Sequence, residues 1–66
     1  MLLNLYMELK RENRTQAEAA SFLGITTRSF NKKMRGESNF TSDEMFALQK
    51  MFFPEKTLEY LFQKEN

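Results

Sequence analysis

Sixty-six residues make one domain at most, and a chain this short buries a small share of its surface, so its core alone supplies little stability. It has no Cys and no His, which excludes disulfides and the usual nitrogen and sulfur ligands of zinc. The net charge of +1 is unevenly spread: residues 10–35 hold Lys10, Arg11, Arg14, Arg28, Lys32, Lys33 and Arg35 against Glu12 and Glu18, while residues 36–66 hold three lysines against six acids.

Gly24, Gly36 and Pro54 are the only glycines and proline, and β-branched residues cluster only at Ile25-Thr26-Thr27, so the chain reads as all-α with five helices. The first helix is predicted over about Leu2–Glu12, where Leu2, Leu5, Tyr6 and Leu9 share one face. Asn13 can end it in a left-handed conformation, and Lys10 and Arg11 suit the negative end of its dipole. The second begins at Thr15, which forms a capping box with Glu18, and stops at Gly24. Ala19, Ala20 and Leu23 face inward, and the paired alanines allow another helix to approach closely.

The third helix starts after the cap Thr26 and ends at Gly36. Phe30 and Met34 point inward, while Arg28, Lys32 and Arg35 form an outward stripe with Thr27 and Asn31 alongside. The fourth is capped by Thr41 with Glu44 three residues on, and Met45, Leu48 and Phe52 face the core. Pro54 suits the first turn of a fifth helix, in which Leu58, Leu61 and Phe62 pack inward. No stretch approaches the roughly 18 apolar residues of a membrane span. The opening Leu2–Tyr6 is too short for a signal peptide, and the cytoplasm is the expected location.

The informative unit is Thr15 to Gly36, TQAEAASFLGITTRSFNKKMRG. Two short helices joined by a tight turn, the second basic and polar on its outer side, meet the physical specification of a helix-turn-helix. The segment resembles the helix-turn-helix of the phage Cro and repressor family and its stand-alone bacterial relatives. That family runs Thr-Gln, two residues, Leu-Ala, two residues, then Leu-Gly-Ile or Leu-Gly-Val. Here Thr15-Gln16, Ala19-Ala20, Leu23-Gly24-Ile25 and Gly36 stand in that register without gaps. The next stretch, GESNFTSDE from Gly36 to Glu44, is similar to the link before helix four in small prophage regulators.

The resemblance implies a single five-helix domain, over residues 1–66, of the phage repressor type, and it implies roles for particular residues. Thr27, Arg28, Asn31 and Lys32 occupy the positions that meet DNA bases, and Gln16, Ser29, Arg35 and Asn39 those that meet phosphates. The chemistry agrees, since arginine pairs bidentately with guanine and the threonine methyl touches thymine. The chain departs from the family at Lys33, where an apolar residue is usual. Either the lysine stem lies along the core with its ammonium outside, or the helix is rotated slightly. Leu9 and Met34 stand where relatives often carry an Arg–Glu pair, and Phe22 stands where they are usually polar.

The expected function is sequence-specific binding of double-stranded DNA by a Cro-like transcriptional regulator, expected as a homodimer. The alternative is an antirepressor or antitoxin-like interaction protein, which exposed Phe22 or Phe46 would favour. The aromatic cluster with Phe53 and Tyr60 is the candidate dimer interface. No cofactor, metal, membrane or small-molecule substrate is expected. Enzymatic activity is not expected either: there is no Gly-rich phosphate loop, and the nine carboxylates read as caps and solvated faces rather than as an acid–base pair.

Overall fold

Four of the five helices start at a threonine whose hydroxyl accepts the backbone N–H three residues on: Thr15, Thr26, Thr41 and Thr57, at 3.0–3.1 Å. The computed structural model describes residues 1–64. The helices are α1 (Leu3–Arg11), α2 (Gln16–Leu23), α3 (Thr27–Arg35), α4 (Ser42–Phe52) and α5 (Leu58–Leu61), with no strand among the described residues. Both expected capping boxes form, Glu18 and Glu44 returning a bond to the N–H of Thr15 and Thr41 at 2.9 Å. None of the helices is long and apolar enough to cross a membrane.

The first three helices stop in one way. Asn13, Gly24 and Gly36 have φ of 58°, 75° and 87°. In each case the following N–H reaches back five residues, to Leu9, Ala20 and Lys32, so the last carbonyls are satisfied. That leaves three residues, Gly24 to Thr26, between α2 and α3. Helix α1 has no side-chain cap. Instead the Leu2 N–H donates to the Met34 carbonyl at 2.8 Å, tying the start of the chain to the end of α3.

The fifth helix differs from expectation. It is short, it begins at Thr57, and Pro54 lies outside it in a turn closed by Lys56 N–H to Phe53 C=O at 3.0 Å. The Thr57 hydroxyl provides a cap that the proline, four residues ahead of Leu58, cannot. Gln49 Nε2 fixes this turn by donating to the Lys56 carbonyl.

The core holds Leu2, Leu5, Leu9, Ala19, Ala20, Phe30, Met34, Phe40, Leu48, Phe53 and Leu61. Phe40 lies between α3 and α4. Its ring meets Phe30 at 5.4 Å and Phe62 at 5.3 Å, both edge to face. Ala19 and Ala20 are fully enclosed, and α2 makes its most extensive packing against α3. The pair of alanines thus sets the closeness of the two helices.

Candidate nucleic-acid interface

Phe30 and Met34 are buried and fix the roll of α3. At roughly 100° per residue, Arg28, Lys32 and Arg35 then fall within about 60° of one another on the opposite side, and all three are exposed. Thr27 is exposed at the start of the helix, and Asn31 is half-buried on one flank of the basic stripe. Ser29 is half-buried on the other flank, and its backbone N–H is engaged by the Thr26 cap.

Asn31 borders an open hollow of about 540 Å³ whose rim also includes Tyr6, Lys10, Asn13, Arg14 and Gln16. The structure therefore brings Gln16 and Asn31 together, from α2 and α3, with two cations from the end of α1 and the following turn. The capping box uses the N–H groups of Thr15 and Glu18, leaving those of Gln16 and Ala17 without an acceptor among the described residues. A helix N-terminus in this state attracts an anion. Within the hollow's rim, Gln16 Oε1 is enclosed and has no hydrogen-bond partner among the described residues.

Asn39 lies elsewhere. It is exposed and borders a second hollow of about 210 Å³ with Lys33, Phe40 and Lys64, and its Oδ1 accepts from Lys64 Nζ at 3.3 Å.

The bases are not equally free. Arg35 Nε donates to Glu37 Oε2 at 2.8 Å, an exposed pair. Arg14 lies 3.8 Å from Glu18 and 5.0 Å from the centre of the Phe52 ring. Arg28 and Lys32 have no ion-pair partner among the described residues.

Lys33 resolves the departure noted in the sequence. Its stem is largely covered, but the ammonium does not end in water: Nζ donates to Glu44 Oε1 at 2.7 Å and sits 5.8 Å from the Phe40 ring. Burial alone would push the Glu44 carboxyl up. The hydrogen bonds from Lys33 and Thr41 and the lysine charge outweigh that and hold it below its ordinary value.

Sequence reasoning missed Glu8, a carboxylate only 2% exposed. It accepts from the Tyr60 hydroxyl at 2.9 Å, with Arg11 at 3.6 Å and Lys56 at 3.9 Å. The only signal available was that Glu8 adjoins the apolar face of Leu5 and Leu9. Of the two aromatic residues expected at a dimer interface, Phe53 is buried in the core and Tyr60 is exposed, as are Phe22 and Phe46. Phe22 leans on Phe52 at 5.4 Å. Comparison with known proteins finds no family model, curated protein or solved structure that matches this chain.

Proposed function

We propose that this chain is a sequence-specific double-stranded DNA-binding regulator of the Cro and repressor type, with α2 and α3 as its helix-turn-helix and α3 entering the major groove. The observation that carries this reading is the face of α3: Arg28, Lys32 and Arg35 lie together, exposed, with no acid on the helix. A nine-residue helix is about 13 Å long, comparable with the roughly 12 Å width of the major groove. Arg28 and Lys32, free of ion pairs, reach base edges, with Thr27 and Asn31 beside them. Gln16 and the open N–H groups of α2 take a phosphate on one side, Arg35 takes one on the other, and Ser29 and Asn39 lie at the margins. Regulators of this type act in the cytoplasm and bind two half-sites as dimers.

A second reading keeps the fold and gives it a protein partner, as in an antirepressor or antitoxin-like module. Phe22 and Phe46, 42% and 55% exposed, favour it. Selection of bound sites from a random DNA pool, followed by a salt-titrated binding assay on the winner, separates the two. DNA binding requires an enriched sequence and an affinity that falls steeply with salt. No enrichment and no binding at low salt would leave the protein-partner reading standing.

A further inference from the structure

Helix α4 carries a face left largely uncovered by the described residues. Asp43, Phe46, Ala47 and Lys50 follow the i, i+3, i+4, i+7 spacing that aligns side chains along one side of a helix. Asp43, Phe46 and Lys50 are exposed and Ala47 is partly so. Phe46 is among the most exposed large apolar side chains of the molecule, and Met51, one turn beyond Ala47, is 57% exposed. Neither Asp43 nor Lys50 has an ion-pair partner among the described residues.

The order of these residues is self-complementary. A two-fold axis crossing α4 between Phe46 and Ala47 brings a second copy of the helix alongside, antiparallel. Under that operation Phe46 of each copy faces Ala47 of the other, large against small. Asp43 of each faces Lys50 of the other, acid against base. Two-fold symmetry requires such reciprocal pairing, each contact being made twice. A parallel arrangement would set Asp43 on Asp43 and Lys50 on Lys50, which like-charge repulsion opposes.

We infer that α4 is the homodimer interface of this protein, a second copy packing antiparallel on Phe46 and Ala47 between two reciprocal Asp43–Lys50 pairs. This names the surface behind the dimer invoked above, but the pairing itself does not depend on DNA. The seam spans one helix of eleven residues, about 16 Å. That is less than a standard interface of about 1,600 Å² needs, so the free dimer is weak. Because Glu44 of α4 is bonded to Lys33 of α3, an α4 dimer holds two copies of α3 in a fixed relation.

Sedimentation equilibrium without DNA, from micromolar to millimolar protein, tests the inference. The wild type shifts from monomer to dimer across this range. Asp43→Lys sets like charges against Lys50 twice over and weakens the dimer by about tenfold or more. Asp43→Lys combined with Lys50→Asp restores the pairs in reverse and recovers most of that loss. Phe46→Ser also weakens the dimer, while Met7→Ser, which removes a comparably exposed apolar side chain from α1, leaves it unchanged. Circular dichroism on each variant checks that the fold is kept. A wild type still monomeric at millimolar concentration, or a double charge reversal no tighter than Asp43→Lys alone, would overturn the inference. A dimer that binds no DNA would overturn the functional reading and leave the interface intact.

Discussion

Lys33 Nζ lies 2.7 Å from Glu44 Oε1, so the last turn of α3 is pinned to the first turn of α4 by one mostly covered ion pair. The same Glu44 oxygen also accepts the Thr41 N–H at 2.9 Å, so a single carboxylate both caps α4 and locks it to α3. This gives a pH dependence with a definite sign. The folded carboxyl titrates below its ordinary value of 4.5. Its contribution is therefore complete above that value and is lost as the pH falls through the lower, folded one. Glu44→Gln keeps a capping side chain but loses the charge, and costs about 1–3 kcal/mol near neutrality. Thermal melts of both proteins from neutral to acid pH should converge below pH 4.5. Parallel curves would show that the charge on Glu44 contributes nothing.

Glu8 predicts an asymmetry. Its partners Tyr60, Arg11 and Lys56 all reach solvent, while the carboxylate does not. Replacing it with an apolar residue of similar size, Glu8→Met, leaves hydratable donors behind and is expected to change stability by less than about 1.5 kcal/mol. Tyr60→Phe instead removes a donor from a buried anion. It should lower the melting temperature more than Glu8→Met does, and the reverse order would contradict this account. The same bond, with some loss of hydration and the Glu8 charge, raises the Tyr60 hydroxyl above its ordinary value of 10.0. The bond is thus intact below that value and lost as pH rises through the raised one.

Leu9 and Met34 replace the charged pair of many relatives of the family that the sequence resembles, and each is 2% exposed in the common core. Met34→Ala should cost roughly 2–5 kcal/mol, enough to unfold a domain this small. Leu9→Arg alone should destabilise, and Leu9→Arg with Met34→Glu should recover part of the loss. A double-mutant cycle on thermal stability measures the coupling, and zero coupling would mean that the two side chains do not meet.

On DNA, Arg28→Ala should cost about 1–3 kcal/mol and relax preference at one base position. Gln16→Ala and Arg35→Ala should instead weaken binding to all sequences alike. For Arg35 the slope of log affinity against log salt should also fall by about one. Binding measurements on the selected site and on its single-base variants distinguish the two patterns. An equal loss on every sequence for Arg28→Ala would reassign it to a phosphate.

What was legible in the sequence is what depends on neighbours within four residues. The capping boxes at Thr15 and Thr41, the stops at Asn13, Gly24 and Gly36, and the inward faces of α1 to α3 all follow from local spacing. Glu8 was not legible, because a carboxylate beside an apolar stripe reads as solvated until a partner 52 positions away appears. Lys33 was half legible: its stem follows from helical position, but its partner follows only from the approach of α4. Phe40 gave no signal at all, since it lies outside any helix and its two ring partners come from α3 and the end of α5.

The bonds from Asn4 to the Tyr60 carbonyl and from the Tyr60 hydroxyl to Glu8 have a kinetic meaning as well. They join residues 56 and 52 positions apart, at 2.8 and 2.9 Å, so α1 and α5 close the longest hydrogen-bonded loops among the described residues. Loop-closure entropy must be met before such contacts form, and they slow folding relative to a purely local bundle. Once formed, they deny the fold a loose end. Releasing the segment around Tyr60 uncovers the Glu8 carboxylate, and releasing α1 takes Leu5 and Leu9 out of the core. Amides in α1 and α5 should therefore report one common opening free energy in hydrogen exchange, through a single cooperative opening, rather than fraying from either side.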